Sequence, residues 1–181
     1  MFTCRDNGPG IVREPFRPAA GDRVLQGLDH TLSIKVSSRE TRGRCAVMEC
    51  EAEPEAYMPP HVHHREDEIL CVVRGRFAVT VGGETREAVP GDFVFAPRGV
   101  AHAWRYLDTG EKGCFQVIIT PGGMEEMFVE IDAVRRGGGS DGQPSAALLA
   151  QLCDIATRYD VTFLLPEAAE EVAAGGGIGA T

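Results

Sequence analysis

The sequence predicts an all-β domain, a sandwich or barrel of short antiparallel strands, with α-helices at its C-terminal end. Three observations lead there. Between about residues 24 and 120 the chain is a succession of short runs rich in β-branched and aromatic residues. Turn-forming segments separate them, and Gly82-Gly83 between two alternating runs marks a tight hairpin, since glycine reaches the positive φ such turns require. From residue 123 onward the apolar spacing lengthens from the period of a strand to that of a helix.

Taken in order, residues 1–23 form an N-terminal arm and residues 24–122 the barrel. The strand-like runs are TLSIKV, RCAVMEC, EILCVV, RFAVTV, TREAV, DFVFA, HAWRYL and CFQVIIT. SRETRG, VGGE, VPGD and PRGV are among the turns between them. Residues 123–166 form a helical segment, in which GMEEMFVEIDAVRR and PSAALLAQLCDIATRY carry helical spacing. Leu148, Leu152, Ile155 and Tyr159 share one face there, suited to packing on the barrel or on a partner subunit. RRGGGSDGQ is a flexible link, and residues 167–181 are a short helix and a flexible tail.

Composition narrows the function. Eighteen basic against 27 acidic residues give a net charge of −9, which repels phosphate backbones and anionic lipid, so neither nucleic acid nor membrane is an expected partner. No apolar run approaches the ~18 residues of a membrane span. The opening MFTCRDNGPG has no signal-like apolar stretch, and a cytoplasmic location is expected. The six cysteines include no C-x-x-C pair and read as reduced thiols, with Cys71 in the core.

The chemistry is concentrated in residues 59–75, PPHVHHREDEILCVVRG. Side chains alternate along a strand, so His61 and His63 face one way and His64 the other, toward solvent. Two imidazoles at i and i+2 can grip one ion, and Glu68, heading the next strand, can return a carboxylate to it. Glu66 and Asp67 read as turn and surface. His-x-His pairs also arise by chance and acidic runs commonly form solvated faces. A second stretch, PGDFVFAPRGVAHAW at residues 90–104, tips the balance, because it sets His102 at the start of another strand just after a Pro-Arg-Gly turn.

These two stretches resemble the two motifs of the cupins. The first, G-x5-H-x-H-x3,4-E-x6-G, is met by His61, His63, Glu68 and Gly75, with Glu55 in place of the leading glycine. The second, G-x5-P-x-G-x2-H-x3-N, is met by Gly91, Pro97, Gly99 and His102, with Tyr106 in place of asparagine. Eight of the ten defining positions match, and the spacer at residues 76–90 suits a compact single-domain bacterial form. The resemblance implies a double-stranded β-helix, a jelly-roll barrel, with His61, His63, Glu68 and His102 as ligands of one divalent transition metal. Neutral imidazoles and a carboxylate suit Fe, Mn, Ni, Co or Zn alike.

Within the cupins, PPHVHHREDE, TPGGMEEMF and IATRYDVTFL are similar to the quercetin 2,3-dioxygenase-like branch. That resemblance implies O2-dependent cleavage of an aromatic enol or flavonol-like substrate chelated to the metal, with Glu68 as catalytic general base. Two other readings stand beside it: a redox-neutral metal-dependent isomerase or polyketide cyclase, and a non-catalytic small-molecule-binding cupin. Trp104 and Tyr106 share a strand face with His102 and are expected to line the substrate pocket. Tyr57, Met48, Phe77, Phe93, Phe95 and Phe115 are further expected lining residues. A homodimer is expected, because cupins commonly pair through their sheets.

Overall fold

The computed structural model describes residues 24–27, 29–138 and 145–164. The N-terminal arm, residues 139–144 of the glycine-rich link, and the segment from residue 165 to the end lie outside the described residues.

Two antiparallel sheets face each other. The first comprises β1 (Val24–Gln26), β2 (His30–Val36), β3 (Ala46–Ala52), β5 (Asp67–Arg74), β8 (Phe93–Ala96) and β10 (Gly113–Thr120), in the order β1-β2-β3-β10-β5-β8. The second comprises β4 (Tyr57–His63), β6 (Phe77–Val81), β7 (Glu84–Ala88), β9 (His102–Tyr106) and β11 (Val161–Phe163), in the order β11-β4-β9-β6-β7. The predicted hairpin is present: Val81 pairs with Glu84, and Gly82 and Gly83 supply the positive φ angles of +59° and +88°.

Alternation decides what faces inward. On β3, Ala46, Met48, Cys50 and Ala52 are buried, while Val47, Glu49 and Glu51 are only half covered. On β5, Glu68, Leu70 and Val72 turn inward. Cys71 is on the opposite face and half-buried, so it is not a core thiol as its apolar run suggests. The inner faces meet in an aromatic cluster. Phe77 lies edge-on to Phe115 at 5.1 Å and to Trp104 at 6.0 Å, and Trp104 is edge-on to Phe115 at 5.1 Å. Gly113 admits this packing, because a Cβ there would come within 2.6 Å of both Phe77 and Tyr106.

The C-terminal stripe folds as its spacing predicts. The described helices are α1 (Ser38–Thr41), α2 (Glu125–Gly138) and α3 (Ala146–Arg158). The Ser145 hydroxyl caps α3 by accepting from the Leu148 amide at 3.2 Å. Leu152 and Ile155 are buried, with Leu148 and Tyr159 packed beside them. The short α1 replaces the turn expected at SRETRG, and the fully buried Glu125 of α2 accepts from its Ser38 amide at 2.5 Å.

The segment after α3 is not helical throughout. The backbone reverses at Asp160, where φ is +57°, and β11 then joins the second sheet beside β4. Val161 pairs with His63 and Phe163 with His61, so the C-terminal segment borders the strand that carries two of the expected ligands.

Phe77 touches aromatic rings of both sheets and has 1% of its surface exposed. Phe77→Ala is expected to lower unfolding stability by about 3–5 kcal/mol, the cost of a large buried aromatic cavity. Urea denaturation with an unchanged m-value checks it.

Candidate metal centre

β4 and β9 pair irregularly. Met58 lies opposite Trp104 and His61 opposite His102, so three steps on β4 match two on β9. Pro59 and Pro60 occupy this bulge, a position that tolerates residues unable to donate a ladder hydrogen bond. The bulge sets the parity of the strand: Met58 faces inward with Trp104, and His61 and His63 face inward with His102. Tyr57 is thereby turned out.

His61, His63 and His102 come from the second sheet and Glu68 from the first, and all four are buried. One donor atom from each lies within 4.8 Å of the others. The rings of His61 and His102 are 4.2 Å apart, those of His63 and His102 4.8 Å, and those of His61 and His63 5.0 Å. His61 Nδ1 donates to the Pro59 carbonyl at 2.9 Å and His102 Nδ1 to the Val100 carbonyl at 3.1 Å. A carbonyl can only accept, so each ring keeps its Nε2 lone pair for the cluster. Glu68 Oε2 stands 3.5 Å from both His63 Nδ1 and His102 Nε2, ionic contacts rather than formed hydrogen bonds.

His63 Nδ1 and His102 Nε2 are buried without a hydrogen-bond partner. Orphaned imidazole nitrogens converging beside a buried carboxylate fit a single metal ion, and His61, His63, Glu68 and His102 are the residues able to hold it. Their protonation agrees. Burial and the neighbouring His102 press His61 down to about 3, and burial also lowers His63. Burial pushes Glu68 up, but the facing histidines outweigh it and hold the carboxyl at about 2. Burial lowers His102, but the Glu68 carboxylate more than offsets this and raises it. The cluster therefore favours positive charge at its centre, with its carboxylate ionised and His61 and His63 neutral.

A narrow cavity extends from this cluster. Its volume is about 40 Å³, or about 480 Å³ of free space when its open mouth is included. Met48, Trp104 and Phe115, three of the eight residues expected at a substrate pocket, line it. The other five expected lining residues do not. Phe77 and Tyr106 lie behind Trp104, where the Tyr106 hydroxyl donates to the Glu111 carbonyl at 2.9 Å. Tyr57 is 52% exposed, facing out beside Arg105. Phe93 and Phe95 are 69% and 57% exposed, because Ala96 pairs with Glu68 and so puts the odd-numbered residues of β8 outside.

Sequence reasoning missed most of the wall. His30 and Met58 enter from β2 and β4, Met124, Met127 and Phe128 from the α2 side, and Val161 and Phe163 from β11. Met48, Met58, Met124 and Met127 are four of the chain's five methionines, a clustering that no sequence period reveals. His64 is exposed as expected and contacts Thr162 Oγ1 at 3.0 Å. Glu66 is buried rather than on the surface, with 4% exposure. Asp67 is half-buried and accepts from the Arg98 guanidinium at 2.8 Å and the Arg98 amide at 2.9 Å, tying the turn before His102 to the head of β5.

Two facing antiparallel sheets that enclose three imidazoles and a carboxylate define a double-stranded β-helix barrel with a compatible metal centre. Residues 48–122 match the family model described as the cupin domain, and the chain carries a cupin domain. An uncharacterised protein of Streptomyces coelicolor is 46% identical over 44 residues, 24% of this chain and 42% of that protein. The quercetin 2,3-dioxygenase of Bacillus subtilis is 27% identical over 119 residues, 66% of this chain and 34% of that enzyme. The chain thus spans less than half the length of either relative. The structure of KdgF from Halomonas sp. superposes with a TM-score of 0.51 at 24% identity, over 56% of this chain and 89% of that one, a likeness of fold.

The depressed His61 sets a pH dependence. Below the ordinary histidine range the unfolded chain binds a proton that folded His61 refuses, so stability is lost as pH falls from about 6.5 toward about 3. In metal-free protein, His61→Gln is expected to gain stability relative to the wild type across that window. A wild-type-to-variant gap that stays constant from pH 7 to pH 4 in urea denaturation would contradict the assignment.

Proposed function

We propose that this protein is a metal-dependent dioxygenase that uses O2 to cleave a flat aromatic enol of the flavonol class. The observation that carries the reading is the His61–His63–Glu68–His102 cluster at one end of a narrow slot walled by Trp104, Phe115 and methionines. The likeness to the quercetin 2,3-dioxygenase of Bacillus subtilis over two thirds of this chain supports the reaction class.

His61, His63, Glu68 and His102 would hold the ion, with His61 and His63 neutral and Glu68 ionised as ligation requires. Once bound, a redox-active divalent metal supplies a positive charge that acidifies the substrate's enol hydroxyl and a centre able to react with dioxygen. Glu68 is ionised at neutral pH, and its buried carboxylate receives the enol proton. A carboxylate held near 2 is a weak base, so this transfer works only toward a hydroxyl whose acidity has been raised. Trp104 and Phe115 present aromatic surface to a planar ring, and Met48, Met58, Met124 and Met127 adapt to its outline. The apolar wall excludes water, which strengthens the electrostatics at the cluster.

Three outcomes test the reading. His61→Ala and His102→Ala are each expected to lose the metal on purification; near-stoichiometric metal by elemental analysis in either variant counts against these ligands. Glu68→Gln is expected to retain much of the metal and lose about 10²–10⁴-fold in turnover, and full activity excludes Glu68 as the base. Oxygen uptake should accompany consumption of a flavonol, measured with an oxygen electrode. Turnover of the same compound under argon overturns the oxygenase and favours a redox-neutral isomerase or cyclase.

A further inference from the structure

His30 belongs to neither sequence motif, yet its ring lies in the wall of the same cavity and is 7% exposed. It heads β2 in the first sheet, opposite Ala52, and meets Trp104 edge-on with ring centres 5.7 Å apart. Trp104 stands two residues beyond His102 on β9, about 7 Å along the strand. Ala52, the partner of His30, pairs with Gly113 at the start of β10, whereas Glu68 pairs with Ile119 near its end, so His30 is on the side of the slot remote from the metal cluster.

Its orientation is fixed from behind. Asp29 Oδ1 lies 3.2 Å from His30 Nδ1, and Asp29 Oδ2 accepts from the Tyr57 amide at 3.1 Å. A carboxylate facing Nδ1 assigns the hydrogen to that nitrogen and leaves Nε2 as an acceptor in the neutral ring. Nε2 has no hydrogen-bond partner among the described residues.

Gly27 explains how the ring fits. A Cβ on Gly27 would lie 2.4 Å from His30 Nε2 and 2.6 and 2.7 Å from its two flanking carbons. Near-equal distances place that position over the face of the ring. An approach in line with the lone pair would leave the flanking carbons much farther away than the nitrogen. The glycine backbone thus covers the face of the imidazole rather than its Nε2 edge.

We propose that His30, positioned by Asp29, is a second polar anchor of the cavity and accepts a hydrogen bond from a hydroxyl on the end of the substrate remote from the metal cluster. This defines the ligand as a planar, largely apolar molecule with an enol at one end and a hydroxyl at the other. It rests on the aromatic-substrate reading above and adds the second polar requirement. The wall between the two polar ends, with Met48, Trp104 and Phe115, offers no competing charge.

Trp104 is the only tryptophan of the chain, so its fluorescence reports occupancy of the slot without turnover. The test uses zinc-loaded protein, whose metal does no redox chemistry, and two probes: 3-hydroxyflavone, and the same compound with one hydroxyl added to the pendant ring. The wild type is expected to bind the hydroxylated probe about tenfold more tightly, the worth of one buried hydrogen bond. In His30→Phe, which keeps a ring edge-on to Trp104 and removes the acceptor, the preference should fall to within twofold. Should that variant not fold, His30→Gln serves, with the preference reduced at least threefold. Equal affinity of the wild type for both probes, or a full preference in the folded variant, overturns the anchor and leaves the aromatic reading standing. Absence of Trp104 quenching by both probes in the wild type overturns the aromatic reading together with the anchor.

Discussion

The structure is organised around one buried charge. Glu68 is 6% exposed between two sheets, and an isolated carboxylate in such a place would carry a desolvation cost of several kcal/mol. It is tolerable because three imidazoles converge on it from the opposite sheet. The compensation links the layers: the acid hangs from β5 in the first sheet, and the histidines from β4 and β9 in the second. Drawing the sheets apart would break the cluster, so the site also fixes how the barrel closes.

The requirement reaches into the backbone. Nε2 of His61 and of His102 can face the carboxylate because each Nδ1 is held by a carbonyl two residues earlier. The Pro59 carbonyl is available because the Pro59-Pro60 bulge lifts it out of the ladder between β4 and β9. The same bulge turns Met58 inward and Tyr57 outward, exchanging a phenol for a thioether in the wall of the slot. β11 then pairs along β4 and brings Phe163 to 5.7 Å from the His61 ring. Charge, register and enclosure are thus one arrangement.

The cavity has an uneven character as a result. One end carries donors suited to a cation, the middle is aromatic and thioether, and the remote end carries the Asp29–His30 pair. The methionines are unbranched and polarisable, so this wall can adapt to ligands of differing outline. On the proposed reading, specificity falls to the few polar atoms at the ends, because a site built to hydrogen-bond a hydroxyl discriminates more sharply than one that only encloses methylenes.

The sequence by itself determined the two-sheet class, the Gly82-Gly83 hairpin, the two C-terminal helices and which four side chains meet. Strand periodicity and turn chemistry are local: alternation puts His61 and His63 on one face, and the likeness to the two cupin motifs adds Glu68 and His102. Tertiary structure decided the rest of the cavity. Tyr57 faces outward because a bulge changed the parity of β4, and Phe93 and Phe95 because pairing with β5 fixed the register of β8. Glu66 is buried although its neighbours are charged, and β11 is too short to show a period of its own. His30, Met124 and Phe163 are separated from the ligand strands by long stretches of chain, and only the closing of the barrel and the packing of the C-terminal segment against it bring them to one slot. A register shift of one residue reverses every side chain on a strand, and that choice is made between strands, where no single stretch of sequence records it.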